Sequence, residues 1–192
     1  QDRPYSLDKL IYDLERQQLL QTILPCLEFD KSRQHFKIEG LEEKIELEID
    51  GWPFHLRYDR LDRLDNGDLL IIDYKSKLPS PLPWTDERPI HPQILLYAIA
   101  NMQIRHLLFL GLQTQEFKQS GFGAEDIGIE NLRVTKKEWI SMQQEWLAVI
   151  QNLITEFRAG VCTPTPKTRN LCQHCHNRDI CRQETFNETD GE

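Results

Sequence analysis

Two tight-turn signals in the first half of the chain separate three segments with the patterns of strands. Isoleucine and leucine alternate with glutamate from Ile45 to Ile49, which is typical of a strand with one exposed face. The pair Asp50-Gly51 predicts a hairpin turn, followed by a second strand from Phe54 to Leu61. A second signal, Asn66-Gly67, leads into a more buried strand from Leu69 to Tyr74. The pattern therefore predicts a three-stranded meander.

Three segments around the meander have the apolar spacing of amphipathic helices. Ser6 to Leu24 is expected to form the first helix, which Pro25 should end. Pro92 to Gln103 has a proline in its first turn. Thr135 to Phe157 opens with a threonine and, three residues later, a glutamate, the signature of a capping box. With a buried strand expected from Leu107 to Leu112, the chain predicts an α/β fold in which helices flank a mixed sheet.

The last predicted helix carries large apolar side chains at helical spacing, which we expect to lie in the core. These side chains are Trp139, Trp146, Leu153 and Phe157.

The bulk composition limits the class of protein only loosely. The chain has 192 residues and a formal net charge of −8, which argues mildly against a generally basic surface that coats nucleic acid, although a local basic patch can hold DNA. No apolar run approaches the roughly 20 residues that span a bilayer, and no signal peptide is visible, so we expect a cytoplasmic protein with no membrane partner. Because the chain begins at Gln1, we expect a fragment of a longer protein.

Two carboxylates and a lysine are predicted to meet at the end of the third strand. Asp73 and Lys75 are two residues apart, so they point to the same face, and Asp59 lies on the preceding strand. Converging carboxylates repel each other unless a cation lies between them, and Mg²⁺ or Mn²⁺ is the natural occupant because hard cations prefer oxygen ligands. Taken alone, however, an Asp-x-Lys triplet is more often a strand end with a local ion pair.

The run YDRLDRLDNGDLLIIDYKSK resembles the RecB-like branch of the PD-(D/E)xK nuclease superfamily. In that branch a D-R-hydrophobic-D strand leads through a short acidic turn to a hydrophobic strand that ends in D-Y-K. A helix with Q-x-x-x-Y follows, and Gln93 and Tyr97 match it on one helix face. The resemblance extends from about Phe36 to Arg182. It is strongest to a bacterial subgroup described as DNA repair proteins, whose nuclease domain ends a longer chain.

The resemblance implies a restriction-endonuclease-like core and specific roles for the conserved pattern. Asp59 and Asp73 would bind the divalent metal, joined by the carbonyl of Tyr74, and the metal would polarise a phosphate and activate water. Lys75 would orient that water or stabilise the phosphate oxygens. Gln93 and Tyr97, counted with the catalytic residues, would position the site or the bound strand.

An upstream glutamate of the family has two candidates in this chain. The family pattern matches Glu42 best, whereas strand alternation with Ile45 favours Glu43, and either could be a solvated strand end. The family also has a histidine ahead of the core. His35 lies just before the first strand rather than on the first helix, so we do not assign it that role.

Three cysteines near the C-terminus are close enough in sequence to bind one metal centre. Cys172, Cys175 and Cys181 resemble three of the four ligands of a [4Fe–4S] cluster in helicase-associated nucleases of this family. His174 and His176 permit a zinc site instead, and three reduced cysteines without metal are the third possibility.

The sequence thus predicts an N-terminal helical segment (1–35), a nuclease core (36–160) and a cysteine-bearing tail (161–192). The resemblance implies a Mg²⁺- or Mn²⁺-dependent deoxyribonuclease, an exonuclease serving DNA repair or recombination, in a parent chain with a helicase-like or inactivated-helicase region. Two alternatives remain open: a non-catalytic DNA-binding or scaffolding module with the same fold, and a zinc-stabilised interaction domain. Arg57, Arg60 and Arg63 could contact phosphates or form a solvated basic face.

Overall fold

The computed structural model describes residues 7–79, 82, 84, 87–89, 91–113, 116–164, 166, 172, 173 and 175–181. The helices are α1 (Leu7–Ser32), α2 (Gln93–Ala100), α3 (Trp139–Arg158) and α4 (Arg178–Cys181). The strands are β1 (Phe36–Leu41), β2 (Lys44–Ile49), β3 (Trp52–Arg57), β4 (Arg60–Leu64), β5 (Leu69–Lys75), β6 (Ile104–Gln113), β7 (Glu116–Gly123) and β8 (Leu132–Val134). The chain divides into two compact units, Gln1–Val149 and Ile150–Glu192. No helix in the described part is long and apolar enough to cross a membrane.

A six-stranded sheet with the order β1-β4-β5-β6-β7-β8 forms the centre of the first unit. β5 and β6 are parallel, as are β7 and β8, while the other neighbours are antiparallel. Helix α2 lies in the connection between the parallel strands β5 and β6 and packs against both, and α1 contacts β6 and β7. The predicted α/β fold, a mixed sheet flanked by helices, is confirmed.

Strand β5 is the most buried strand, and its two faces meet different partners. Leu69 and Ile71 pack in the cluster that contains α2, whereas Leu70 and Ile72 pack on the other face with Phe29 of α1. Each fully buried aliphatic side chain of this kind contributes roughly 1.5–3 kcal/mol. Since side chains alternate along a strand, the next odd-numbered residues of β5 continue the face that α2 covers.

The predicted three-stranded meander is wrong in its pairing, because the predicted second strand divides at Tyr58 and Asp59. β3 pairs with β2 in a separate two-stranded sheet, whereas β4 pairs with β1 and β5. The register nevertheless continues from Leu41 opposite Arg60 to Lys44 opposite Arg57. The segments 36–49 and 52–64 are therefore one long antiparallel ribbon that is bent in the middle.

Backbone hydrogen bonds cross the bend of this ribbon. The amide of Glu42 donates to the carbonyl of Asp59 at 3.0 Å, and the amide of Tyr58 donates to the carbonyl of Glu43 at 3.2 Å. Glu42 has a φ of 52°, in the left-handed region that non-glycine residues rarely adopt. The two strands of the ribbon therefore stay hydrogen-bonded through the bend, while the β2–β3 pair turns away from the six-stranded sheet.

The bounds of all three predicted helices differ from the structure, and α2 ends at Ala100 rather than at Gln103. Pro25 lies inside α1, which continues to Ser32, so the prediction that Pro25 ends the helix is wrong. A proline in a helix costs about 3 kcal/mol, and the buried contacts of Phe29 and the ion pairs of Asp30 beyond it offset that cost. Helix α3 begins at Trp139 rather than Thr135, whose hydroxyl instead accepts the amide of Lys137 in a local turn.

The apolar face of α3 was predicted correctly in its first half. Trp139 and Trp146 are buried, as expected, but Phe157 is 70% exposed, so its assignment to the core is wrong. Ile150 and Ile154 are the buried residues of the later turns. They continue from Trp146 at a spacing of four residues.

A buried group of alternating charges joins α1 to β4. Asp62 is fully buried and accepts the guanidinium groups of Arg33 and Arg60, each at 2.7 Å. Asp30 completes the group by pairing with both arginines. Arg60 therefore binds carboxylates inside the protein, and its proposed contact with phosphates is wrong, whereas Arg63 pairs with Glu39 at the surface.

Removing one charge from this buried group should destabilise the fold strongly. In Asp62→Ala both arginines lose a buried partner, and we expect the free energy of unfolding to fall by about 3–5 kcal/mol, measured by urea denaturation. Glu39→Gln breaks the surface pair with Arg63 and serves as the control, with little expected change. Equal stability of the two variants would contradict a structural role for the buried group.

Candidate active site

The bend of the ribbon places Asp59 opposite Asp73. The β4–β5 ladder ends at Arg60 opposite Ile72, and Asp59 and Asp73 are the next residues beyond that pair. They are close enough for the charge of Asp59 to raise the pKa of Asp73. The Oδ2 atom of Asp59 accepts the amide of Tyr74 at 2.8 Å, which fixes the direction of the carboxylate after β3 has turned away.

Asp73 and Lys75 form an ion pair on the face that α2 covers. The Nζ atom of Lys75 lies 2.7 Å from Oδ2 of Asp73, and the Asp73 side chain is only 4% exposed, against 30% for Lys75. Burial raises the pKa of Asp73, and the charge of Asp59 adds to this, while Lys75 acts in the opposite direction. The structure thus brings Lys75 into contact with Asp73 and places the charge of Asp59 near them.

A cavity of about 240 Å³ opens beside this ion pair. Its polar lining consists of Asp73, Lys75, His91 and Gln93, and its apolar lining includes Leu56 of β3 and Phe109 of β6. His91 was not singled out from the sequence, where only its position just before the Pro-Gln start of α2 could have drawn attention to it. Burial lowers the pKa of His91, and Lys75 lowers it further, which favours the neutral imidazole.

Gln93 and Tyr97 link α2 to the bent ribbon. The side-chain amide of Gln93 donates to the hydroxyl of Tyr97, which in turn donates to the carbonyl of Arg57, the last residue of β3. Tyr97 is fully buried and meets Tyr58 edge to face, with ring centroids 6.4 Å apart. Gln93 therefore reaches the cavity, while Tyr97 lies behind it and supports the strand end next to Asp59.

The two candidate glutamates lie side by side in the bend and have different partners. Glu43 accepts the hydroxyl of Tyr58 at 2.8 Å, and burial, followed by this hydrogen bond, raises the pKa of Tyr58 to about 12. Glu42 pairs with Arg57 at 3.2 Å at the surface. These contacts do not decide between the two as the family glutamate. Gly40 must stay small here, since an added Cβ would lie 2.3 Å from the Tyr58 hydroxyl oxygen.

The donor set at the bend fits a hard divalent cation. Asp59 and Asp73 bring two carboxylates close together, and the buried Oδ2 atom of Asp73 has the Lys75 ammonium 2.7 Å away. Carboxylates in such an arrangement are the ligands that Mg²⁺ and Mn²⁺ prefer. The use of the Tyr74 carbonyl as a further ligand stays a prediction.

The structure does not gather the sulfur atoms of the three C-terminal cysteines into a metal-binding group among the described residues. Cys172, Cys175 and Cys181 form no disulfide, and the amide of Cys175 donates to the carbonyl of Cys172 at 3.3 Å, which makes a tight turn of the C-x-x-C segment. The structure describes His176, but His174 lies outside the described residues. The binding of zinc or of an iron–sulfur cluster by these cysteines therefore stays a prediction from their spacing in the sequence.

A separate group of metal-ligating side chains is not part of this site. Asp68, His106 and Glu125 each place one ligand atom within 4.8 Å of the others. Asp68 lies just before β5, whereas Asp73 lies near its end, so the group is at the opposite end of the strand. His35, the upstream histidine, pairs with Asp65 at the surface at 2.8 Å.

Comparison with known proteins adds a family to this geometry. One solved structure, of a protein called SSO0001, is 18% identical, and the match covers 92% of this chain and 71% of that chain with a TM-score of 0.42. No curated protein matches the chain. The PD-(D/E)XK nuclease superfamily matches over residues 4–182, which include both strands of the Asp59–Asp73 pair and the three C-terminal cysteines. The chain belongs to the PD-(D/E)XK nuclease superfamily.

Proposed function

We propose that the chain is a Mg²⁺- or Mn²⁺-dependent deoxyribonuclease of the RecB-like branch, acting as an exonuclease in DNA repair or recombination in the cytoplasm. The observation that carries this proposal is the buried Asp73, opposite Asp59 and 2.7 Å from Lys75, at the edge of an open cavity. Membership of the nuclease superfamily supports the chemistry. The resemblance of the D-R-L-D, D-Y-K and Q-x-x-x-Y segments supports the branch, the DNA substrate and a helicase-like region in the parent chain.

The residues of the site divide the work of phosphodiester hydrolysis. Asp59 and Asp73 would hold a divalent ion, which would supply positive charge to polarise the scissile phosphate and lower the pKa of water. Asp73 keeps Lys75 directed at the cavity, where its ammonium donates to the attacking water or to a phosphate oxygen as negative charge develops there. The water oxygen forms the new bond to phosphorus as the bond to the leaving sugar oxygen breaks. Gln93 and neutral His91 offer further hydrogen bonds to the strand.

Lys75→Ala is the sharpest test of this assignment. The variant keeps the metal ligands but lacks the cation at the reacting phosphate, so we expect the rate of Mn²⁺-dependent cleavage of labelled single- or double-stranded DNA to fall at least about 100-fold. Lys77→Ala, which removes an exposed lysine two residues farther along, should cleave as the unmodified chain does.

Two outcomes would count against the nuclease proposal. If the unmodified chain, purified intact with its parent regions, cuts neither DNA form with Mn²⁺, the non-catalytic scaffolding alternative is favoured. If cleavage persists equally in Lys75→Ala and Lys77→Ala, the activity belongs to another site or to a contaminant.

Tyr97→Phe tests whether α2 supports the bend. The change removes only the hydroxyl that donates to the Arg57 carbonyl and accepts from Gln93, so we expect the free energy of unfolding to fall by about 1–2 kcal/mol in urea denaturation. Cleavage should also slow, though less than in Lys75→Ala. Tyr12→Phe, at a side chain 64% exposed on α1, is the matched control and should be neutral. Identical behaviour of the two variants would remove Tyr97 from the site.

We further propose that Cys172, Cys175 and Cys181 bind a metal centre, with a [4Fe–4S] cluster as the first candidate and zinc as the second. Anaerobic purification followed by metal and sulfide analysis should find iron and sulfide in equal amounts. Cys175→Ser should lose most of this metal, and Cys26→Ser, on α1, should retain it. One equivalent of zinc without iron would replace the cluster with a zinc site, and unchanged metal in Cys175→Ser would refute both.

A further inference from the structure

A second group of ligating side chains lies at the end of β5 away from Asp73. Asp68 precedes β5, His106 lies near the start of β6 beside Leu70, and Glu125 follows β7 by two residues. Five residues of extended strand separate Asp68 from Asp73, a distance of about 16 Å. We propose that Asp68, His106 and Glu125 bind a divalent transition-metal ion of the Zn²⁺ or Mn²⁺ class, independent of the proposed catalytic ion.

His106 is the observation that points to a ligand. The side chain is fully buried, and neither ring nitrogen makes a hydrogen bond among the described residues. Its Nε2 atom lies 3.4 Å from Oδ2 of Asp68. The other nitrogen faces Gly123, where an added Cβ would lie 2.5 Å from Nδ1. Because buried polar groups normally have partners, an imidazole nitrogen aimed at two carboxylates is a donor suited to a metal ion.

Asn66, in the turn before β5, holds the two carboxylates in place. Nδ2 of Asn66 donates to Oε1 of Glu125 at 2.8 Å and lies 3.2 Å from Oδ2 of Asp68. Oδ1 of Asn66 accepts the amide of Asp68 at 3.0 Å, which closes the turn. The amide of Ala124, next to Glu125, donates to the carbonyl of Arg105 at 2.9 Å. Such supporting contacts orient ligands ahead of metal binding.

The spacing and chemistry of the donors fit a transition-metal ion that accepts both nitrogen and oxygen ligands. Ligand atoms on a tetrahedral ion with bonds of about 2.1 Å are about 3.4 Å apart, which matches the distance from His106 to Asp68. One imidazole and two carboxylates favour Zn²⁺ or Mn²⁺ over Mg²⁺ and Ca²⁺, which prefer oxygen alone. Glu125 is exposed, so water can complete the coordination.

One neighbouring cation competes for this site. Nε of Arg105 lies 3.2 Å from Oδ2 of Asp68, and the arginine side chain is 39% exposed. Metal binding therefore requires this guanidinium to turn toward solvent, and the affinity is expected to be moderate. An ion bound here would join the turn before β5, the start of β6 and the loop after β7, and would stabilise that end of the sheet by mass action.

Paramagnetic line broadening separates this site from the proposed catalytic site within one protein. We would add substoichiometric Mn²⁺ to the unmodified, ¹⁵N-labelled chain and follow backbone amide resonances. The amides of Gly67, Gly123 and Ala124 should broaden, and one equivalent of Zn²⁺ should restore them. Broadening is strongest nearest the ion, so an ion at the proposed catalytic site should affect Tyr74 and Lys75 before Gly123 and Ala124. The order in which amides broaden therefore shows the failure of either site separately.

Matched variants decide the assignment. Glu125→Gln should abolish broadening at Gly123 and Ala124 while leaving that at Lys75, and Glu130→Gln, an exposed glutamate of the same loop, should change neither. Since both residues are at the surface, both variants should fold, as their amide spectra would show. Sharp Gly123 and Ala124 resonances in the unmodified chain with Mn²⁺, or equal broadening in Glu125→Gln, would overturn the proposal.

Discussion

Two carboxylates of like charge, Asp59 and Asp73, face each other across neighbouring strands, and the surrounding structure is arranged to hold them there. Asp73 is buried, and the charge of Asp59 adds to the effect of burial in raising its pKa. Such a pair costs free energy unless positive charge compensates it. The Tyr74 amide directs one carboxylate and the Lys75 ammonium balances the other, which leaves oxygen ligands for a divalent cation.

The bend in the β-ribbon makes this arrangement possible. In a straight ribbon Asp59 would continue the regular strand pairing. Here the left-handed backbone of Glu42 turns β3 away from the main sheet, and the Asp59 carboxylate accepts the amide of Tyr74. Tyr97 holds the end of β3 from the side of α2. The fold and the site are therefore linked, because β3, the strand that leaves the six-stranded sheet at the bend, also lines the cavity through Leu56.

Side-chain alternation from Asp59 into β4 places Asp59 and Asp62 on opposite faces of the sheet. Asp59 faces the side that α2 covers, and its carboxylate accepts the amide of Tyr74. Asp62, three residues later, faces the other side, where Arg33 and Arg60 bury it in ion pairs. The repeated Asp-Arg-Leu sequence thus places a proposed metal ligand on one face. On the other face it places a carboxylate whose ion pairs join β4 to the end of α1.

The sequence predicts the local parts of this structure and not those that depend on tertiary contacts. Strand periodicity and the D-Y-K end were enough to place Asp73 and Lys75 on one face, because those signals are local. The bend at Tyr58–Asp59 was not predictable, since it depends on β1 taking the place beside β4. The predicted helix end at Pro25 is wrong for the same reason, because the tertiary contacts of Phe29 and Asp30, which lie beyond it, keep α1 helical to Ser32.

A crystal structure with Mn²⁺, located by its anomalous scattering, tests the central claim most directly. We predict an anomalous peak between the carboxylates of Asp59 and Asp73, within coordination distance of both. Mn²⁺ bound elsewhere on the chain, with none between these two aspartates at saturating concentration, would contradict the account.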